Sequence, residues 1–308
     1  MYTANNSTFA HNCAGSRISD ITYTNLRLMD PASTDLRSIW KTYIESVEAT
    51  AHFDAIFADD SNDVYGISSM PCTYSATTWL DSTISEDGST LAPIIYNGLA
   101  LLGPGDSVSP SIALNATAVG GMAEQCYARG GASSKPGSVL WEAMEDTELQ
   151  MAAQHKYFVC LGNDYTSSSS AYNARLYEYA SFLMSYDPNT TLLWEDYTTT
   201  SKVGIEPESQ LVALHPRIAA PSSIGALKVG TGYVFAREYG ACYLAGKYVG
   251  PCATVVNSDY YYSHPFPYTK YHHSLVLSGG GILDGGTVRT NGATPTTMPP
   301  LSAAIAFP

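Results

Sequence analysis

Positive charge is scarce in this sequence. Its 308 residues include 15 Lys and Arg against 28 Asp and Glu, which gives a formal net charge of −13. Only 14% of the residues are charged, whereas an average soluble chain has about 25%. Proteins that bind nucleic acids need clustered Lys and Arg to neutralise phosphates. The sequence has no such cluster, so we predict no nucleic-acid partner.

Long apolar runs and the common catalytic motifs are missing as well. No run approaches the ~20 apolar residues of a membrane-spanning helix, and no CxxC, HExxH or GxSxG motif occurs. The acidic stretch around Asp59 lacks the glycine and the distal glutamate of an EF-hand at the required offsets. The glycine-rich segment 279–286 does not join a strand to a helix, as a phosphate-binding loop would. We therefore predict no membrane span, no metal and no cofactor.

The chain has six cysteines, an even number that suits disulfide pairing in an oxidising compartment. Cys242 and Cys252 flank the short glycine-containing stretch GKYVGP, so we predict a disulfide between them across a β-hairpin. The pairing of the other four stays open: Cys13, Cys72, Cys126 and Cys160. The alternative is that all six are buried thiols, which behave as small hydrophobic residues.

Three glycosylation sequons favour the same compartment, and they begin at Asn6, Asn115 and Asn189. Such triplets also arise by chance in Ser- and Thr-rich sequence, so each is weak alone. The stretch that starts at Met1 has neither the basic nor the apolar region of a secretion signal. We expect an extracellular, secreted protein whose signal segment has been removed, or a chain that starts inside a longer one.

The first two-thirds of the chain alternates between short apolar runs and helical patterns. Helical spacing follows Ser33 and also covers 139–154 and 172–183, and the apolar runs that predict strands lie at 25–29, 53–57, 93–102, 119–123, 157–161 and 191–194. Strand, polar turn and helix in repetition predict parallel β/α architecture, whose buried strands read as continuous apolar runs. A closed (β/α)8 barrel needs eight strands. We therefore predict an α/β fold of the (β/α)8-barrel type that lacks its first strands.

The pattern changes near Pro221. Beyond residue 225 helical spacing disappears, and Gly, Pro, Thr and Tyr separate short strand-like runs at 233–237, 241–244, 253–256, 274–277 and 303–307. This pattern is typical of a small antiparallel β-sandwich. We therefore predict a β/α barrel domain over 1–220 and a C-terminal β-sandwich domain over 221–308, with 197–221 as the linker region.

Carboxylates and amides follow the predicted strands, namely Asp59, Asp60, Glu124, Asn163, Asp164 and Glu195, and Asn97 lies within the predicted strand 93–102. Ligands of parallel β/α folds bind at the carboxyl ends of the strands, and cleavage of a glycosidic bond requires two carboxyl groups. Tyr96 and Trp194 are candidates for stacking on a sugar ring. The alternative for each acid is that it caps a helix or forms a turn. Asp60 and Glu124 each closely follow an apolar run, and we single them out as the candidate catalytic pair.

The segment FDAIFADDSND resembles the FDGxFxDD segment of TIM-barrel glycoside hydrolases, in the polygalactosaminidase-like and hypothetical glycosyl hydrolase families. The order of the later segments PIIYNGLAL, GGMAEQCYAR and KYFVCLGND is also similar. The resemblance runs from about Leu26 to Pro308, and the ending looks like the β-sandwich appended to such barrels. It implies that Asp60 is the nucleophile or base, that Asp59 supports it, and that Glu124 is the acid/base. The first barrel strands of these families have no counterpart in this sequence.

The leading hypothesis is therefore an extracellular glycoside-hydrolase-like protein that cleaves or binds a polysaccharide through paired carboxylates. Further substrate-binding residues are predicted to be Asn97, Asn163, Asp164, Tyr96, Trp194 and Glu195. The alternative is a non-catalytic glycosylated subunit of an extracellular assembly or filament, or a carbohydrate-binding pseudoenzyme. The missing strands, the low charge and the sequons favour this alternative, since an incomplete barrel can be completed by a neighbouring chain in self-assembly.

Overall fold

A computed structural model describes residues 6–21, 23–59, 61, 69–90, 92–101, 107–108, 110–124, 126–127, 135, 137–162, 169–194, 205–230 and 232–308. The helices are α1 (Thr34–Ala51), α2 (Ala76–Asp87), α3 (Pro110–Leu114), α4 (Ser138–Ala153) and α5 (Ser169–Ser185). The strands are β1 (Ile56–Ala58), β2 (Ile94–Asn97), β3 (Ala100–Leu101), β4 (Ser107–Val108), β5 (Ala118–Glu124), β6 (Tyr157–Leu161), β7 (Thr191–Trp194), β8 (Leu211–Pro216), β9 (Val234–Leu244), β10 (Lys247–Asn257), β11 (His264–Pro265), β12 (His273–Ser278), β13 (Thr287–Ala293), β14 (Thr297–Met298) and β15 (Ser302–Phe307).

Five strands form a parallel sheet in the order β1-β2-β5-β6-β7. The registers fix the pairing: Ile56 lies opposite Ile94 in the β1–β2 pair, and Asn97 lies opposite Met122 in the β2–β5 pair. Strands β6 and β7 have the bounds that the sequence predicts. Most residues of β6 are buried, as expected of a parallel strand covered on both faces, whereas Leu192 and Trp194 on β7, the last strand of the sheet, are half-exposed. The predicted α/β class with a parallel sheet is therefore confirmed at this level.

Helix α1 begins and ends for local reasons. The Ser33 hydroxyl accepts a hydrogen bond from the backbone N–H of Leu36 at 3.3 Å, which satisfies one of the donors that every helix start leaves open. The helix ends at His52, which adopts a left-handed conformation with φ of 53°. Helix α2 was not predicted, although Ser75 caps it in the same way through the N–H of Thr78.

The chain divides into two compact units. Unit 1 comprises Met1–Leu99 and Ser109–Met122, and unit 2 comprises Ala100–Val108 and Ala123–Pro308. Unit 1 contains α1, α2, β1 and β2. Unit 2 contains α4, α5, β6, β7 and the antiparallel strands. The predicted domain boundary at residue 220 stays a prediction.

Unit 2 contains a six-stranded antiparallel sheet in the order β13-β12-β15-β10-β9-β8 and a short antiparallel ribbon, β11-β14. Helix α5 lies against this sheet: the Thr254 hydroxyl donates to the Ala180 carbonyl at 2.9 Å, and the Tyr239 hydroxyl donates to the Leu183 carbonyl. The antiparallel part of the predicted fold is confirmed. The stretch 197–221, interpreted above as a linker, contains β8.

Three disulfides join the six cysteines. Cys242 and Cys252 are linked across the β9–β10 hairpin, as predicted. The pairs that the sequence left open are Cys13–Cys72 in unit 1 and Cys126–Cys160 in unit 2. Within the part of the chain that is described, no helix is both long and apolar enough to cross a bilayer.

Candidate functional site

The first element of the candidate site is a hydrogen-bonded pair at the ends of β1 and β2. Asp59 directly follows β1 and is exposed, whereas Asn97 is the last residue of β2 and is buried. The Asn97 side-chain amide donates to Asp59 Oδ1 at 2.6 Å. Two predicted site residues therefore meet in unit 1. An exposed carboxylate held by a buried amide is fixed in orientation while one side stays accessible to a ligand.

Ser61 and Asp87 support this pair from the interior of unit 1. The Ser61 N–H donates to the Asn97 carbonyl at 2.8 Å, and its hydroxyl lies 3.4 Å from Asp87 Oδ2. Burial raises the pKa of Asp87 to about 7, and the hydrogen bond from Ser61 opposes that rise. The backbone after β1 is thus tied to the end of β2. This bond restricts how far Asp59 can move.

Glu124 is the last residue of β5 and is exposed, while the residues before it from Gly120 to Ala123 are buried. Its position at the carboxyl end of a parallel strand agrees with the sequence prediction. Four other predicted site residues lie outside the described residues: Asp60, Asn163, Asp164 and Glu195. Their assignment to the site stays a prediction.

The two aromatic candidates differ in exposure. Tyr96 is completely buried, and its hydroxyl lies 3.2 Å from Thr117 Oγ1. A ring without exposed surface cannot stack on a sugar, so the prediction of Tyr96 as a substrate-binding residue is corrected here. Trp194, at the end of β7, is half-exposed and keeps a face that a ligand can reach.

Sequence reasoning missed a buried acidic cluster in unit 2. Glu145 and Glu148 lie one turn apart on α4 and are both completely buried. Ser185 Oγ donates to Glu145 Oε2 at 2.6 Å, and the Tyr127 hydroxyl donates to Glu148 Oε2 at 3.1 Å. The Oε1 atom of each has no hydrogen-bond partner among the described residues. The sequence signal for this cluster was the pair of glutamates at positions i and i+3 of α4, a spacing that places both side chains on one face of the helix.

Cys126, Cys160 and Glu178 place their ligand atoms within 4.8 Å of one another in the interior of unit 2. The two sulfur atoms are joined in a disulfide. Metal binding by cysteine needs the thiolate, so these three residues do not fit a metal centre in the oxidised protein.

The three sequon asparagines differ in how their side chains are engaged. Asn115 donates from Nδ2 to the Ile112 carbonyl at 2.7 Å, and its Oδ1 accepts from Thr117 and Ala118. This network holds the turn before β5 and leaves Nδ2 occupied. Asn189 is exposed, and its Nδ2 lies 3.2 Å from Asp187 Oδ1. Asn6 is exposed and accepts hydrogen bonds from His11 and Arg17 through Oδ1.

From this difference we expect that Asn189 carries a glycan and Asn115 does not when a eukaryotic secretory host produces the protein. The reason is that a glycan is bulky and needs a surface position, and Asn189 is exposed whereas Asn115 is half-buried. Intact-mass measurement of Asn189→Gln and Asn115→Gln should show one glycan lost in the first variant only. A mass loss in Asn115→Gln would contradict the expectation.

Comparison with known proteins gives little. No protein-family model and no curated protein matches the chain. Among solved structures, the chain is similar to a cycloisomaltooligosaccharide glucanotransferase from Paenibacillus sp., complexed with cycloisomaltoheptaose, at 14% sequence identity and a TM-score of 0.35. That similarity covers 99% of this chain and 40% of the other. A TM-score of this size does not establish a shared fold.

Proposed function

We propose that this chain is an extracellular glycoside-hydrolase-like protein that acts on a polysaccharide at the carboxyl ends of its parallel strands. The observation that carries the proposal is the Asp59 carboxylate, which follows β1 and is held by Asn97 at the end of β2. Cleavage of a glycosidic bond needs one carboxyl group as acid and a second as nucleophile or base. In the proposal Asp60 is the nucleophile or base, Asp59 supports it, and Glu124 at the end of β5 is the acid.

The finer assignments belong to the same proposal. These are the polygalactosaminidase-like resemblance, the barrel form of the parallel sheet, the β-sandwich form of the antiparallel strands, and secretion. Three disulfides support secretion, because such bonds persist in oxidising compartments. Trp194 is the remaining described aromatic residue proposed to contact substrate.

The test is release of reducing ends from a panel of soluble polysaccharides. We expect Asp60→Asn and Glu124→Gln each to lower the rate by about 10²-fold or more, because each removes a proton-transfer or nucleophilic group. Both replacements preserve side-chain shape, so the thermal unfolding midpoint should stay unchanged. Asp81→Asn, an exposed position on α2, is the matched control. Equal rates in both variants and the wild type would reject the assignment.

A second candidate is a non-catalytic subunit of an extracellular assembly. It is favoured by apolar side chains on the first and last strands of the parallel sheet. Phe57 on β1 is half-exposed, and so are Leu192 and Trp194 on β7. Exposed strand edges pair readily with other chains. Concentration-dependent sedimentation or filaments in electron micrographs, together with no release of reducing ends, would favour this candidate.

A further inference from the structure

Three consecutive tyrosines form an exposed aromatic surface in unit 2, outside the carboxylate site. Tyr260, Tyr261 and Tyr262 follow β10 and are 56%, 77% and 68% exposed. Their rings meet edge to face, with centroids 5.1 Å apart for the first pair and 6.5 Å for the second. We call residues 257–263 the tyrosine turn. Contiguous exposed aromatic surface of this kind marks interaction sites more often than scattered apolar residues do.

Two buried polar side chains, Asp259 and Asn257, hold the backbone of the tyrosine turn through hydrogen bonds. Asp259 Oδ1 accepts from the N–H groups of Tyr261 and Tyr262 at 2.9 and 3.1 Å. Asn257 Nδ2 donates to the carbonyls of Tyr262, Met298 and Pro299 at 3.0, 3.0 and 2.8 Å. The conformation is therefore set before any ligand arrives, which lowers the entropic cost of binding.

The flanks of the turn are fixed as well. His264 Nε2 lies 2.9 Å from Asp259 Oδ2, and its ring packs on Gly232, where an added Cβ would come within 2.1 Å of it. The Ser138 N–H, at the start of α4, donates to the Ser258 carbonyl at 2.7 Å. The turn is thus anchored to a helix and to the sheet, although its tyrosine rings face solvent.

The chemistry of this surface selects the ligand class. The one charged side chain within 257–263 is Asp259, which is buried and engaged with His264. An ionic ligand therefore finds no exposed counter-charge in this segment. Tyrosine offers an apolar ring and a hydroxyl at its edge, and it presents a large contact area with few rotatable bonds. A neutral ligand with apolar C–H faces bordered by hydroxyl groups fits both parts.

We propose that the tyrosine turn is a binding surface for the pyranose rings of a neutral polysaccharide. The surface holds a polymer by stacking and involves none of the carboxylates assigned to hydrolysis. It goes beyond the proposed function, because the turn binds glycan whether or not the strand-end carboxylates cleave it.

The test is co-sedimentation of the full chain with insoluble cellulose, chitin, mannan and starch granules. We expect binding to at least one of them, and at least a tenfold loss of affinity when Tyr260, Tyr261 and Tyr262 are all replaced by alanine, because three stacking contacts are removed. Replacement of the same three by phenylalanine keeps the ring faces and should retain most of the binding. Tyr248→Ala is the matched control, since this exposed tyrosine also meets a neighbour, Tyr243, edge to face at 5.6 Å.

The other outcomes of the co-sedimentation test would each overturn the proposal. If no polysaccharide binds, or if the triple alanine variant binds like the wild type, the proposal is wrong. If that variant instead converts an oligomer into monomers, the surface contacts a second copy of the chain, and the glycan proposal is also wrong. Release of reducing ends tests the hydrolase proposal and co-sedimentation tests the tyrosine proposal, so failure of one and failure of the other give different results.

Discussion

Replacing Arg175 by methionine is expected to lower the free energy of unfolding by about 3–5 kcal/mol, because it leaves buried carboxylates without their counter-charge. Arg175 lies on α5 with no exposed side-chain surface. Its guanidinium donates to both carboxylate oxygens of Glu208, contacts Glu206 at 2.8 Å, and donates to the Gly279 carbonyl at 3.0 Å. One side chain thus connects α5 to the segment before β8 and to the residue after β12.

Urea unfolding with the disulfides intact measures this effect. The matched control is Lys270→Met, because Lys270 pairs with Glu238 at 2.8 Å but is half-exposed. Exposed pairs of this kind contribute about 0–1 kcal/mol. Adding Glu208→Gln to Arg175→Met should recover part of the loss. A cost of less than about 1 kcal/mol for Arg175→Met would show that the buried carboxylates are stable without their cation.

The second large effect is a loss of stability as pH rises, to which Glu145 and Glu148 contribute. Asp87 and Glu86 add to it, because burial raises their pKa values to about 7 and about 8. Burial raises the pKa of Glu148 to about 8, and burial together with the neighbouring Glu148 raises the pKa of Glu145 well above its ordinary value. An unfolded glutamate has a pKa of about 4.3. Between these values the folded protein holds protons that the unfolded chain has released. The free energy of unfolding therefore falls from about pH 4.3 towards pH 8.

We expect Glu148→Gln to remove the share of that fall that Glu148 contributes. Each proton held only in the folded state contributes a slope of about 1.4 kcal/mol per pH unit, so the variant should gain on the order of 3 kcal/mol over the wild type between pH 5 and pH 8. Urea unfolding at both pH values measures the difference. Glu45→Gln, at an exposed position on α1, should change neither value by more than about 0.5 kcal/mol. A fall in stability between pH 5 and pH 8 that is as large in Glu148→Gln as in the wild type would contradict the expectation.

Local signals were sufficient for the five strands of the parallel sheet and for α1. The strand predicted at 25–29 was wrong, since this segment forms only isolated antiparallel bridges. The runs YFVCL and TLLW are apolar throughout and end in polar residues, so β6 and β7 could be placed from sequence. Ser33 before an amphipathic stretch marked the start of α1. Helix α2 was missed because its many Ser and Thr residues have low helix propensity, and Ser75 alone did not outweigh them.

Longer-range features could not be read from local patterns. The segment 234–244 was predicted as two runs separated by Glu238 and Gly240, yet it forms one strand, β9. Glu238 stays in the strand because Lys270 and Arg217 compensate its charge. Gly240 lies where an added Cβ would come within 3.3 Å of the His215 carbonyl on β8. None of these three partners is near in sequence.

In the candidate site too, some features were predictable from local sequence and others depended on long-range contacts. Asn97 was predicted within the run 93–102, although it is the last residue of β2. The position of Asp59 at a strand end was predictable, because the apolar run before it defines that end. The orientation of Tyr96 was not, because a strand covered on both faces shows no alternation that would separate inward from outward side chains. The tyrosine turn was not singled out either, because its exposure depends on Asn257 and Asp259 being buried beneath it.

The bond between Cys13 and Cys72 joins residues 59 positions apart in the chain, and the loop that it closes includes α1 and β1. A single protease cut anywhere between the two cysteines would therefore leave both fragments covalently attached. Electrophoresis of such a nicked sample would show one full-size band without reductant and two bands with it. Integrity judged on a non-reducing gel would miss this damage entirely.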